Sequence, residues 1–191
     1  MKLCRIIFSG AGGQGLITAG RVLAEAAILH EGLNAIQSQS YGSRARGGLS
    51  RSDVIISDED IIFPKVIQPN VIVCLTQKTY NKYCHLIRPG GLLLTDCSFV
   101  KQKKMVDARQ VELDMYRAVV DKIGKPIVFN MCVLGALCSL TELIKHESIM
   151  QVLESCMSPD YLTLNKQALI LGTSLADAFK KNRGIRNITL W

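Results

Sequence analysis

The chain has 191 residues, of which 48% are hydrophobic and 20% charged, and its formal net charge is +7. This length suits one α/β domain with a buried core, and the longest strongly apolar run, 131–140, is far short of the ~20 residues that span a bilayer. Aromatic residues are only 6% and no nucleic-acid motif occurs, so we expect no membrane and no nucleic acid among the partners.

Apolar runs and helical periodicity alternate along the chain. We predict strands at 3–8, 33–38, 51–57, 71–75 and 92–95, an edge strand within 105–113, and a last short strand at 126–129. We predict helices at 16–31, 77–87, 115–123, 131–144, 147–156 and 165–181, with Thr76 and Asn130 as N-caps of the second and fourth. This alternation predicts a single, Rossmann-like domain over 1–191, a three-layer α/β/α structure with a mostly parallel, mixed sheet.

A glycine-rich turn joins the first predicted strand to the first predicted helix. Gly10, Gly12 and Gly15 stand at the G-x-G-x-x-G spacing, and a helix that starts there directs N–H groups and its positive dipole end at an anion. A nicotinamide site would need an acidic residue about 20 positions on, and 33–42 contains none. A P-loop would need Lys and Ser/Thr where Leu16 and Ile17 stand. The turn therefore predicts an unusual phosphate site, unless its glycines only permit close strand–helix packing.

A second polar loop, 38–48, is expected at the carboxyl end of a strand next to the first one, where open α/β sheets bind ligands. Arg44 and Arg46 offer planar donors for phosphate, Gly47 and Gly48 offer bare backbone N–H groups, and Tyr41 can stack on a flat base. The alternative is a subunit contact in which the arginines meet partner carboxylates, and both interpretations can hold together.

Seven cysteines are scattered along the chain without any C-x-x-C pair, which argues against zinc or iron–sulfur ligation. Most lie in apolar segments and are interpreted as small buried hydrophobic residues. The odd count and the lack of a signal peptide predict a reducing cytoplasm.

Three segments together resemble a known family. They are the G-x-G-G-Q-G turn at 10–15, the loop with Ser40-Tyr41-Gly42 and Arg46-Gly47-Gly48, and a segment with Asn130-Met131 and Leu134-Gly135-Ala136. Their combination resembles the gamma subunit of 2-oxoacid:ferredoxin oxidoreductases, a domain III-like unit, over residues 5 to about 175. The form Gln39-Ser40-Tyr41-Gly42 resembles the 2-oxoglutarate branch, and pyruvate and branched-chain enzymes remain alternatives.

The resemblance implies an enzyme that converts a 2-oxoacid, coenzyme A and oxidised ferredoxin to acyl-CoA, CO2 and reduced ferredoxin. Thiamine diphosphate, Mg and iron–sulfur clusters are implied in partner subunits only: alpha, beta and a possible ferredoxin-like delta. This chain is then inactive alone, reaches ferredoxin indirectly, and can form a homodimer when isolated. It would hold coenzyme A phosphates through these residues: Gly10, Gly12, Gly13, Gln14, Gly15, Tyr41, Arg44, Arg46, Gly47 and Gly48.

Two rival functions are a stand-alone NAD(P)-binding oxidoreductase and a non-catalytic scaffold whose turn binds nothing. We find no catalytic pair and no metal-ligand set: the three histidines are isolated and interpreted as surface or packing residues. Asn130 follows a predicted strand, so a ligand contact is a second possible role for it besides capping.

Overall fold

A single sheet organises the computed structural model, which describes residues 3–41, 48–102 and 105–190. Within this part of the chain the sheet has six strands in the order β2-β3-β1-β4-β5-β6. The strands are β1 (Cys4–Ala11), β2 (Asn34–Tyr41), β3 (Leu49–Ser57), β4 (Val71–Cys74), β5 (Gly91–Asp96) and β6 (Ala108–Leu113).

The sheet is mixed because one strand runs against the others. β1, β4, β5 and β6 are parallel, with Phe8 opposite Val73, whereas β3 is antiparallel to both β1 and β2. The predicted mostly parallel, mixed sheet is therefore confirmed. The prediction that the second loop follows a strand next to the first was wrong, because β2 and β3 form a hairpin and β3 lies between β2 and β1. A short connection permits such antiparallel pairing, whereas parallel strands need a long crossover.

Six helices accompany the sheet in the described ranges. They are α1 (Leu16–His30), α2 (Gln77–Tyr83), α3 (Met115–Lys122), α4 (Phe129–Thr141), α5 (His146–Cys156) and α6 (Pro159–Arg183). Thr76 caps α2 as predicted, since its hydroxyl accepts a hydrogen bond from the Thr79 N–H at 3.2 Å. None of the helices in the described residues is both long and apolar enough to cross a bilayer.

The segment before α4 departs from the sequence prediction. The expected strand at 126–129 is wrong: Pro126–Val128 forms a 3-10 turn, and Val128 rather than Asn130 holds the N-cap position. A four-residue apolar run does not distinguish a strand from a helix start, and proline favours the first helical turn. Asn130 thus lies inside the helix, which frees its side chain for another contact.

Both faces of the sheet are covered, but unequally. Ile6 and Phe8 point into a large core formed with α1 and α3 to α6. Ile7 and Ile72 point to the other face, where Tyr80 and Tyr83 of α2 provide much of the cover. The three-layer arrangement is confirmed, with most of the buried apolar surface on one side.

Five cysteines contribute to these cores, as the sequence predicted. They are Cys4, Cys74, Cys84, Cys132 and Cys138, while Cys97 and Cys156 are exposed. Burial raises the pKa of the Cys4 thiol to about 12, and it does the same for Cys132 and Cys138. These thiols therefore stay protonated and behave as apolar side chains.

Helices α4 and α6 cross at backbone contact. A Cβ atom built on Gly172 would overlap the carbonyl oxygen of Cys132, and one built on Gly135 would overlap that of Leu169. Neither neighbour can move away, because both are backbone atoms inside helices. Small residues are therefore required where the two helices meet.

We expect Gly172→Ala to lower the free energy of unfolding by about 1–3 kcal/mol, because the added methyl group overpacks this crossing. Without the close crossing, alanine in a helix interior would raise the free energy of unfolding by about 1 kcal/mol relative to glycine. The sign of the change in this free energy therefore distinguishes the two cases. Urea denaturation measures it, with the exposed Ser174→Ala in the same helix as a control. An unchanged or higher midpoint for Gly172→Ala would contradict the close crossing.

A glutamate joins the end of α1 to the start of α5. Glu31 Oε1 accepts hydrogen bonds from the Lys145 N–H at 3.0 Å and the Ser148 hydroxyl at 2.6 Å. The residue at the N-cap position, Lys145, makes no side-chain cap bond, so Glu31 replaces that cap from a distant part of the chain. Burial alone would raise the pKa of Glu31, but the hydrogen bonds and the Lys145 charge outweigh it and lower the pKa below 4.5.

A carboxyl group whose pKa is lowered by folding stabilises the fold above its unfolded pKa and loses that effect as the pH falls. We therefore expect Glu31→Gln to cost about 1 kcal/mol at neutral pH. The difference from wild type should shrink once the pH drops below about 4.5 and vanish when Glu31 is protonated. Urea denaturation as a function of pH tests this, with exposed Glu112→Gln as a control. A difference that is independent of pH would refute it.

Candidate functional site

The glycine turn forms between β1 and α1 as the sequence predicted. Gly13 and Gly15 have φ angles of 94° and 70°, a region that side chains other than glycine rarely adopt. Gly15 takes the N-cap position of α1 and supplies no side-chain cap. The first N–H groups of a helix have no partner within the helix, so this end of α1 favours an anion or a hydrogen-bond acceptor.

Gln14 fastens the turn to the sheet. Its Oε1 accepts a hydrogen bond from the Ala11 N–H at 2.8 Å, and its Nε2 donates to the Leu75 carbonyl at 3.2 Å. Leu75 follows β4, so this one side chain joins the carboxyl ends of two neighbouring strands. A Cβ on Gly10 would overlap Gln14 Oε1, which explains why glycine stands there. Gln14, predicted as a ligand contact, has its polar atoms engaged by the fold.

The end of the second loop meets the first turn. The Gly12 N–H donates to the Gly48 carbonyl at 3.0 Å, which continues the antiparallel ladder of β1 and β3 by one step. The structure thus brings two predicted segments together, 10–15 and Gly48. Tyr41 is the last residue of β2, while Arg44, Arg46 and Gly47 lie outside the described residues.

Asn130, in the first helical turn of α4, contacts the glycine turn. Its Nδ2 donates to the Gly15 carbonyl at 3.1 Å, and a Cβ on Gly15 would lie only 2.6 Å from that nitrogen. The residue is 6% exposed, and its Oδ1 has no hydrogen-bond partner among the described residues. The contact holds α4 and α1 together and leaves one buried acceptor unsatisfied.

Two cavities open beside the first turn of α1 and share Thr18. The smaller, about 240 Å³, opens towards α4 and α6 and is lined by Gly13, Gly15, Asn130 and Tyr161 among others. The larger, about 550 Å³, opens towards the end of β2 and is lined in part by Arg21. A glycine turn at a helix start flanked by two clefts can receive an elongated ligand with phosphate groups.

Sequence reasoning missed several residues around these cavities. Thr18 and Arg21 follow the turn at helical spacing, so the face of α1 nearest the turn could have indicated them. Tyr161 and Asn165 come from α6, more than a hundred residues away along the chain, and no local signal connects them with the turn.

A cluster at the carboxyl ends of β5 and β6, the same edge of the sheet as the glycine turn, has a structural explanation. Asp96, Cys97 and Asp114 place ligand atoms within 4.8 Å of one another. The Asp96 carboxylate, however, accepts hydrogen bonds from the N–H groups of Ser98 at 2.8 Å and Tyr116 at 2.7 Å. Burial raises its pKa even though these bonds oppose the shift. Asp96 therefore satisfies the start of α3, as a helix cap does.

The fold and the turn together define a Rossmann-like α/β domain whose glycine-rich turn connects the first strand to the first helix. The chain belongs to the pyruvate ferredoxin/flavodoxin oxidoreductase family, whose sequence pattern matches residues 5–175.

Similar proteins narrow this assignment to one type of subunit. The chain is 47% identical over 146 residues to the 2-oxoglutarate synthase subunit KorC of Methanocaldococcus jannaschii, covering 75% of this chain and 78% of that protein. The crystal structure of a keto/oxoacid ferredoxin oxidoreductase gamma subunit from Geobacter sulfurreducens superimposes with a TM-score of 0.85 at 36% identity, covering 93% of this chain and 98% of that one. The predicted resemblance to gamma subunits of the 2-oxoglutarate branch is confirmed.

A larger enzyme contains the same fold. The 2-oxoglutarate:ferredoxin oxidoreductase of Magnetococcus marinus, solved with 2-oxoglutarate, coenzyme A and succinyl-CoA bound, superimposes with a TM-score of 0.85. The match covers 98% of this chain and 33% of that one at 23% identity, so it establishes the shared fold.

We expect Gln14→Ala to lower the free energy of unfolding by about 1–3 kcal/mol, because it leaves the Ala11 N–H and the Leu75 carbonyl without their partner. Exposed Gln151→Ala is the matched control and should leave the unfolding midpoint unchanged. If the denaturation curves of the two variants coincided, the interpretation that Gln14 stabilises the turn through its two hydrogen bonds would be refuted.

Proposed function

We propose that the chain serves a thiamine-diphosphate-dependent 2-oxoglutarate:ferredoxin oxidoreductase by helping to bind coenzyme A and to assemble the complex. The reaction converts 2-oxoglutarate, coenzyme A and oxidised ferredoxin to succinyl-CoA, CO2 and reduced ferredoxin. The name of the Methanocaldococcus relative supports the substrate, and the ligands of the Magnetococcus enzyme support coenzyme A. Thiamine diphosphate, Mg and iron–sulfur clusters belong to the alpha, beta and delta partners in this proposal, and the complex acts in the cytoplasm.

The observation that carries the coenzyme A assignment is the turn at the start of α1. Coenzyme A is long and bears a diphosphate and a 3′-phosphate, which suit the unsatisfied N–H groups and dipole of α1. Arg21 on the larger cavity adds a cation, and Arg44 and Arg46 belong to the loop that ends at Gly48. Among the described residues, a Cβ on Gly12 would meet only the Gly48 carbonyl, at 3.8 Å, which is compatible with a closely approaching ligand.

The residues at the end of β2 argue against the alternative function, a stand-alone NAD(P)-binding oxidoreductase. A dinucleotide site places an acidic residue there for the ribose hydroxyls. Here Gln37, Ser38 and Gln39 line the larger cavity, and none of them is acidic. These uncharged side chains are compatible with a ligand that is recognised through its phosphates.

An exposed apolar segment supports the role in assembly. Ile62, Phe63 and Ile67, between β3 and β4, are 94%, 54% and 60% exposed. Large apolar side chains grouped on a surface usually mark a contact with another chain. Burial of this apolar surface would favour association with partner subunits, or with a second copy of the chain when it is isolated.

We expect Arg21→Ala and Arg46→Ala to raise the KM for coenzyme A about tenfold in the reconstituted enzyme, because each removes a charged phosphate donor. The KM for 2-oxoglutarate should change little. Arg117→Ala is the matched control: Arg117 and Arg21 each lie 3.8 Å from a carboxylate four residues on, but Arg117 is on α3 and lines neither of the two cavities.

Gel filtration of the same variants separates ligand binding from assembly. In a separate assay, the chain without its partner subunits should not reduce viologen in the presence of 2-oxoglutarate and coenzyme A. An intact complex with an unchanged KM for coenzyme A in both variants would overturn the coenzyme A assignment, whereas a complex that fails to form would assign the arginines to assembly.

A further inference from the structure

One long stretch of the chain carries positive charge and contains no carboxylate. Residues 61–95 include Lys65, Lys78, Lys82 and Arg88, but neither Asp nor Glu. This stretch covers most of the segment between β3 and β4, all of α2, and most of β5. Because like charges are not offset by nearby acids, the surface around α2 has a positive potential.

The segment between β3 and β4 lies beside α2, on the same side of the sheet. Val66 packs against the apolar core that includes Tyr80 and Tyr83 of α2. The Arg88 N–H, just beyond the helix, donates to the Pro69 carbonyl at 3.0 Å. Segment 61–70 and α2 with the residues up to 88 therefore form one continuous surface, the α2 face.

The cations of the α2 face have no carboxylate partner among the described residues. Lys78 and Lys82 are exposed and stand one helical turn apart on α2. In the same described ranges, cations on other surfaces are paired, as Arg117 is with Asp121 on α3. The charges of the α2 face thus remain available for carboxylates of another molecule.

Exposed apolar side chains lie among these cations. Leu86, in the 3-10 turn Cys84–Leu86 that follows α2, is 37% exposed, and Ile67 is 60% exposed. Ile62 and Phe63 extend the apolar surface along the same segment. Protein interfaces bury an apolar centre within a polar rim, and opposite charges across the interface select the partner. The α2 face has both features.

The charges also distinguish between possible partners. A second copy docked through the same face would bring Lys78 and Lys82 close to like charges, which opposes self-association. The layer of an anionic membrane would attract α2 but repel the exposed acidic run 58–60 beside Ile62. A folded protein can place carboxylates opposite α2 and other groups opposite 58–60, so it fits the whole face.

We propose that the α2 face docks on a carboxylate-rich surface of another subunit of the oxidoreductase complex. Lys78 and Lys82 contact carboxylates of that subunit, and Ile67 and Leu86 pack in the apolar centre of the contact. This inference rests on the proposed function and names the face and the chemistry of its partner. It also decides between the two associations that the exposed apolar segment leaves open, partner subunits and self-association.

Carbodiimide cross-linking of the reconstituted complex tests the contact directly. The reagent joins a lysine amine to a carboxyl group in contact with it, and mass spectrometry identifies the two joined residues. We expect Lys78 or Lys82 to be joined to an Asp or Glu of a partner subunit. This experiment uses the wild-type chain, so it does not depend on the folding of a variant.

Charge reversal measures how much the contact contributes to assembly. On dilution of the complex, followed by gel filtration, the double variant Lys78→Glu, Lys82→Glu should dissociate at a concentration about tenfold higher than wild type does. Added salt should narrow this difference. The matched control is Lys122→Glu, Lys125→Glu, which changes the net charge equally. Both control lysines are exposed at the end of α3, on the other side of the sheet, and this variant should dissociate like wild type.

Three kinds of result would overturn the inference and leave the proposed function standing. One is an intact complex in which neither Lys78 nor Lys82 is joined to a partner subunit. Another is equal dissociation of the two double variants. The third is a different partner: a link to a second copy, binding to phosphatidylserine vesicles that requires both lysines, or a raised KM for ferredoxin in a variant complex that dissociates like wild type. Failure of the wild-type chain to join any complex would overturn both.

Discussion

The placement of the glycine turn depends on a few hydrogen bonds between side chains and backbone atoms. Gln14 joins the turn to the sheet, and Asn130 joins it to α4 through the Gly15 carbonyl. Because α1 begins without a side-chain cap, its first N–H groups remain directed outward. The turn is thus held from two sides while the first N–H groups of α1 stay free, which is the preorganisation that the proposed anion binding would need.

Sequence predicts those features of the site that depend on residues close together along the chain. Gly10 and Gly15 specify the strand–turn–helix unit, because close neighbours at both positions and a positive φ angle at Gly15 leave few alternatives to glycine. The regular spacing of Leu16, Ala19 and Leu23 fixes the buried face of the helix that follows. These features involve residues that are close together in the chain, so they can be recognised in the amino-acid sequence alone.

The parts that sequence reasoning missed depend on distant segments. Asn130 was interpreted as a cap because a polar residue after an apolar run usually is one, yet the 3-10 turn at Pro126–Val128 starts the helix earlier. Its contact with Gly15 spans 115 positions. The hairpin of β2 and β3 was missed for a similar reason: both strands were predicted, but their partners are chosen by burial across the sheet rather than by either strand alone.

That hairpin has a geometric consequence for the second loop. Along β3 the inward and outward side chains alternate, with Val54 and Ile56 packed in the large core. A shift of β3 by one residue would turn these side chains to the opposite face, so the pairing of Gly10 with Ser50 is strongly fixed. The same register sets where β3 begins, and therefore where Gly48 meets Gly12. Core packing several residues away thus determines the position of Gly48, the first described residue after the arginine-bearing segment, relative to the glycine turn.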